Sequence, residues 1–304
     1  MIATGQTLKA VEEVKGRSLW VDARRRLFQN RAAMASIIIL ALIALLALLA
    51  PLLSPYAYDE VNYDIIACSP NWWPAPTACR APGHLFGTDA VGRDLFVRVL
   101  FGARVSLAVG LVATLVSLVI GVLYGATAGY LGGRIDTLMM RLVDILYSLP
   151  FVFFVIILMV IFDRNFILLF VAIGAVEWLT MARIVRGQTL SIKQKEFIEA
   201  ARAAGVGPTA IITRHIIPNV VGPVVVYVTL TVPGVILTES FLSFLGMGVQ
   251  EPRTSLGTLI SQGASDMELA PWLLVFPSAV IVVTLMCFNF IGDGLRDAID
   301  PKDR

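Results

Sequence analysis

The feature that most constrains this chain is a set of long apolar runs that carry almost no charge. A helix needs about 20 consecutive apolar residues to cross the hydrocarbon core of a bilayer. Six stretches reach or approach that length: 32–53, 105–133, 145–162, 165–182, 216–238 and 269–292. Five of them contain no Asp, Glu, Lys or Arg, and the fourth contains only Glu177. Backbone polar groups inside lipid must bond within their own segment, so all six read as helices. Composition agrees: of 304 residues 57% are hydrophobic and 15% charged, which leaves too little polar surface for a soluble protein. A cleaved signal peptide fits the first run poorly, because a long basic leader precedes it and Tyr56, Tyr58, Asp59 and Glu60 follow it.

The basic residues orient the chain. With six crossings, 18 of the 24 Lys and Arg fall on the side that holds both termini, and six fall on the other. Cytoplasmic loops carry that excess, so both termini are expected in the cytoplasm. The predicted organisation is then a basic leader (1–31), a first span (32–53), a periplasmic loop (54–104), a five-span core (105–292) and a cytoplasmic tail (293–304). A cytoplasmic insertion at 183–218 interrupts the core. The formal net charge of +2 gives no reason to expect nucleic acid. Arg24, Arg25 and Arg26 sit just before the first span, where they can anchor topology by snorkelling or bind membrane lipid.

The periplasmic loop holds Pro70, Pro74, Pro76 and Pro82, so no regular element is predicted there. Trp72 and Trp73 suit an outer interfacial position or a partner contact. Cys68 and Cys79 bracket this stretch, either as two free thiols or as a bridge, which an oxidising compartment favours. Residues 163–165 read as a tight external turn, and 244–268, rich in Gly, as a re-entrant or surface loop. Cys287 in the last run reads as a small apolar packing residue.

The insertion at 183–218 is the most informative segment. Residues 195–204 read as a short helix, Gly205 as its left-handed stop and Pro208 as the first turn of a second helix. Alanines around Glu199 leave a slim face that fits a partner's groove; an ordinary amphipathic surface helix is the plainer reading. Glu177 is the only carboxylate within a predicted span. It is either a structural hydrogen-bonding group or part of a solute path. Asn289 is the other candidate for that path.

No G-x-x-x-x-G-K-[ST] loop, H-E-x-x-H or G-x-S-x-G is present, and the two His, His84 and His215, fall on opposite predicted sides. A nucleotide site, a metal centre and hydrolase chemistry are therefore not expected. No inverted repeat is evident and intramembrane ionisable residues are scarce, which disfavours a proton-coupled carrier.

The segment Glu199-Ala200-Ala201, Gly205, His215, Ile216, Ile217 and Pro218 resembles the coupling loop of bacterial ABC importer permeases, with His215 where Ile is common. Several stretches resemble the dipeptide/oligopeptide branch of those permeases. They include Gly87-Thr88-Asp89-Ala90-Val91-Gly92-Arg93-Asp94, Gly129-Tyr130-Leu131-Gly132-Gly133, Glu239-Ser240-Phe241-Leu242-Ser243-Phe244-Leu245-Gly246 and Gly292-Asp293-Gly294. The leader from Gly16 to Arg26 and Gln250-Glu251-Pro252 are similar to the C-subunit group of the oligopeptide permeases. Two departures are Leu256 where the family often has Trp, and a longer loop between Cys68 and Cys79.

This resemblance implies an all-α integral membrane protein of six transmembrane helices with the type I ABC importer permease fold. It implies that the chain forms half of an oligopeptide pathway across the bacterial inner membrane, or a path for dipeptides or another peptide-like solute. Implied partners are a homologous B-type permease, two ATPases of D and F type that bind ATP and Mg, and a periplasmic peptide-binding protein. The chain itself would bind no cofactor and do no covalent chemistry. Glu199, Ala200, Ala201, Arg202, Gly205, His215 and Pro218 would couple it to the ATPases.

Overall fold

The computed structural model describes residues 19–74, 79–161 and 166–299. The leader's first 18 residues, Pro76, the turn at 163–165 and the tail's last five residues lie outside these. The described chain forms eleven α-helices. They are α1 (Leu19–Gln29), α2 (Arg31–Leu53), α3 (Leu95–Leu131), α4 (Gly133–Ser148), α5 (Phe151–Ile161) and α6 (Phe166–Ile192), followed by α7 (Glu196–Ala203), α8 (Pro208–Ile211), α9 (Ile217–Phe244), α10 (Leu256–Ser265) and α11 (Trp272–Ile299). A π-helical stretch at Ile212–Ile216 joins α8 to α9.

Four helices are long and apolar enough to cross a membrane among the described residues, and five if the bent α4–α5 pair counts as one. They are α2, α3, the continuous helix through α8 and α9, and α11. The predicted run at 145–162 is not one straight helix. It breaks between Ser148 and Phe151 with a bend of 80°. Pro150 explains the break, because it supplies no N–H and pushes the residue before it out of the helical region. Leu149 is accordingly extended, with φ −74° and ψ 130°. The second predicted run also differs. Its helix begins at Leu95, inside the expected loop, where the Asp94 side chain accepts a hydrogen bond from Val97 N at 2.8 Å.

The most extensive helix pairing is α3 with α6. Gly121, Gly125 and Gly129 recur every four residues along α3 and form the seam. A Cβ at these positions would lie 2.5 Å from Met181 Cβ, 2.3 Å from Ala182 O and 2.8 Å from Thr189 Cβ. Small residues at this spacing let two backbones approach where lipid gives helices no hydrophobic drive to associate. The loop before α3 is closed by a Cys68–Cys79 disulfide with a Cα–Cα distance of 4.7 Å. Trp73 and Phe86 pack against Phe276 of α11, and Trp73 also meets Trp272, so this loop caps one end of the bundle. Leu256, the departure from the family pattern, is 1% exposed in that same core rather than on the outer surface.

Candidate functional site

The insertion between α6 and α9 is built from local rules. Lys195 precedes α7 in extended conformation, and Glu196 and Glu199 occupy its first turn, where acids complement the helix dipole. The C-terminus closes as a Schellman motif: Gly205 N bonds Arg202 O at 2.9 Å and Val206 N bonds Ala201 O at 3.0 Å. Gly205 has φ +77°, which glycine adopts without a steric penalty. Pro208 then opens α8 at its first turn.

The two sides of α7 differ. Ile198 is fully buried in a cluster with Ala126 and Tyr130 of α3, Met181 and Val185 of α6, and Ile211, Ile212 and Ile216. Glu199, Ala200, Arg202, Ala203 and Ala204 are exposed and Ala201 is half-buried. Pro218 is exposed and His215 half-buried where the chain re-enters α9. The Arg202 guanidinium lies 5.1 Å from the Tyr130 ring centroid, and Lys193 Nζ lies 5.7 Å from the same ring. Tyr130 thus receives one cation from just after α6 and one from the last turn of α7. A further tie runs from α6 to α4: Arg186 Nε and Nη2 bond the two oxygens of Asp136 at 2.5 and 2.6 Å. Such a bidentate pair fixes orientation as well as distance.

Toward the other end of α3, Glu239 of α9 is fully buried. Its carboxyl accepts hydroxyl hydrogen bonds from Ser243 at 2.6 Å, Ser106 of α3 at 2.9 Å and Ser240 at 3.4 Å. Ser106 Oγ also accepts from Leu256 N at 3.3 Å, so the cage joins α3, α9 and α10. Gly257 permits this contact, since a Cβ there would lie 2.4 Å from Ser240 Cα. Nearby, outside the spans, Arg93 bonds Asp89 at 2.7 Å and Glu251 at 3.0 Å. The Arg93 guanidinium holds the Glu251 carboxyl below the usual carboxylate range.

Glu177 is half-buried on α6 and lines a cavity of about 390 Å³ with Tyr147, Phe151, Thr180 and Thr238. Asn289 is exposed on α11 and does not line that cavity, so the structure does not bring the two path candidates together. Among the described residues no group of three or more His, Cys, Asp or Glu is placed to hold a metal.

The family model for the binding-protein-dependent transport system inner membrane component matches residues 117–304. A second model, the N-terminal TM domain of oligopeptide transport permease C, matches residues 18–71. The Oligopeptide transport system permease protein OppC of Escherichia coli (strain K12) is 60% identical over 292 residues, covering 96% of this chain and 94% of that protein. The protein of the same name from Haemophilus influenzae is 54% identical, covering 98% and 94%. The chain belongs to the binding-protein-dependent transport permeases.

A solved structure of the MetNI methionine ABC transporter shares the fold, with a TM-score of 0.56 at 21% identity over 68% of this chain and 98% of that one. The permease is a multi-pass membrane transport component and not an enzyme. Two of its site residues escape sequence reasoning. Glu239 lies one residue beyond the predicted fifth span, yet within the apolar helix that ends at Phe244. Ser243, four residues on, was the available signal, since a helix places side chains four apart on one face. Tyr130 sits in a quoted family stretch, but its partners Lys193 and Arg202 come from a distant part of the chain.

Proposed function

We propose that this permease forms half of the oligopeptide pathway of an ATP-driven importer in the bacterial inner membrane, paired with a homologous B-type permease. Two ATPases of D and F type bind ATP and Mg²⁺ and grip the cytoplasmic loops, while a periplasmic peptide-binding protein delivers cargo. The chain crosses the membrane six times, through α2, α3, the α4–α5 pair, α6, α9 and α11, and both termini are cytoplasmic. The high identity to proteins named as oligopeptide permeases supports the substrate class.

The observation that carries the coupling reading is the two-sidedness of α7. Its buried Ile198 and the Arg202–Tyr130 contact fasten it to α3, while Glu199 and the exposed alanines face outward. A slim, firmly backed helix passes a partner's movement to the bundle instead of absorbing it. Gly205 ends the helix abruptly, and His215 and Pro218 frame the return into α9. The cavity beside Glu177 is the part of the surface assigned to the peptide path.

The test is reconstitution of the complete transporter in proteoliposomes, with ATP-dependent uptake of a labelled tripeptide as the readout. Cysteines placed at Ser191 and Ser265, both exposed, should react with an impermeant maleimide from opposite sides. Labelling of both from one side would sink the six-crossing arrangement, and absence of ATP-dependent uptake would sink the importer reading.

A further inference from the structure

We propose that the outer face of α1 binds the headgroup of an anionic phospholipid, with guanidinium groups on the phosphate and apolar side chains below it. The proposal rests on the membrane reading of the chain and is independent of which solute it carries. One residue, Asn30, separates α1 from the apolar α2. Its backbone N–H bonds Arg26 O and Leu27 O, and its side chain accepts from Ala33 N at 3.1 Å. This short, doubly bonded joint holds α1 beside the residue where α2 begins, at headgroup depth.

The two faces of α1 separate cleanly. Ala23 is buried, and Leu27 lies against α11 so closely that a Cβ on Gly294 would sit 3.3 Å from its Cδ1. Val21, Arg24, Arg25 and Phe28 follow the i, i+3, i+4, i+7 spacing of a single helical stripe. All four are exposed, and with Gln29 they line a cleft of about 630 Å³. Val21 is 62% and Phe28 60% exposed, too much apolar surface to leave in water beside two cations. The Arg24 guanidinium lies 6.0 Å from the Phe28 ring. Neither Arg24 nor Arg25 has an acidic partner among the described residues.

That combination selects the occupant. Arginine grips phosphate through parallel N–H donors, and apolar neighbours favour a ligand with an acyl-glycerol body over a free anion. A basic stripe next to a spanning helix is attracted to anionic lipid, at roughly five-fold in affinity per arginine.

The experiment is native mass spectrometry of the assembled transporter equilibrated with equal amounts of phosphatidylglycerol and phosphatidylcholine. Wild type should retain phosphatidylglycerol preferentially, and excess inorganic phosphate should not displace it. Arg24→Gln with Arg25→Gln should reduce that retention about thirty-fold while the subunits still co-purify. Arg24→Lys with Arg25→Lys should keep most of it, which guards against a folding defect. Equal retention of both lipids, unchanged retention in the glutamine variant, or displacement by inorganic phosphate would overturn the proposal. So would loss of an ATPase subunit from the glutamine variant with lipid retention intact, since the face would then belong to a protein contact.

Discussion

Replacing Gly205 separates what the permease needs from its own backbone and what it needs from a partner. The residue holds φ +77°, in the left-handed region. An L-residue there costs roughly 1–2 kcal/mol, less for Asn, whose side chain tolerates that region, and more for a β-branched residue. Among the described residues, apart from Gly205 and its two neighbours, no atom lies within 4 Å of a Cβ built at Gly205, so the described permease adds no steric penalty. A cost of about 1–2 kcal/mol lowers the population of the docking-competent turn by roughly five- to thirty-fold. It leaves insertion of the spans untouched. Three variants then divide the effects. If the backbone alone matters, Gly205→Asn keeps most uptake while Gly205→Ala loses part of it. If the ATPase groove closes over this point, Asn is as damaging as Val, because both carry bulk into the groove. The second outcome is expected: Gly205→Val and Gly205→Asn should both abolish uptake of a labelled tripeptide while the two permeases still co-purify. Normal uptake by Gly205→Val would refute the assignment of this loop to coupling.

Tyr130→Leu should leave the ATPases bound but reduce peptide transported per ATP hydrolysed, whereas Tyr130→Phe, which keeps the ring between Lys193 and Arg202, should behave as wild type; equal transport ratios for Leu and Phe would count against the contact. Glu239→Ala removes the acceptor of three serine hydroxyls and should destabilise the permease by about 2 kcal/mol, seen as a lower midpoint of thermal unfolding in detergent, with Glu239→Gln closer to wild type. The Glu251 carboxyl is held low by Arg93, so the tie between them is fully present above about pH 4.5 and is lost as pH falls through the lowered value. A nitroxide spin label at the exposed position 250 should therefore gain mobility only in acid, and a mobility change centred at or above neutral pH would contradict it.

How much of this was legible in the sequence follows from where each constraint acts. The run at 32–53 became α2 almost residue for residue, because lipid forces a segment to satisfy its own backbone and nothing distant can override that. Gly205 and Pro208 were legible because their effects are confined to one turn. The break at Pro150 was not read although a proline inside a helical run signals one, since the run was bounded by the absence of charge alone and the residues from Phe151 onward are uniformly apolar. The early start of α3 was hidden by Arg98, which looks like a loop residue. It is fully buried in a helix with its Nε 3.4 Å from Asp89 Oδ2. The Glu239 cage depended on Ser106, 133 residues away, and a single sequence carries no sign of such a pairing.

These hidden contacts share one helix. Ser106 and Tyr130 both belong to α3, which runs unbroken for 37 residues, or about 55 Å at the rise of an α-helix. Its first third touches the Glu239 cage and its last turn receives Arg202 of α7. Between them, Gly121, Gly125 and Gly129 hold α3 against α6, whose Arg186 is tied to α4. Glycines inside a helix cost stability in water, yet here they give the closest approach available and so stiffen the pair. On the proposed coupling role of α7, a movement made there has to reach the far face of the membrane. A loosely packed bundle would dissipate that movement at the first helix contact, whereas a glycine-seamed pair anchored at both ends carries it as a unit. The sequence features least favourable to an isolated helix are therefore the ones that make α3 suited to this role.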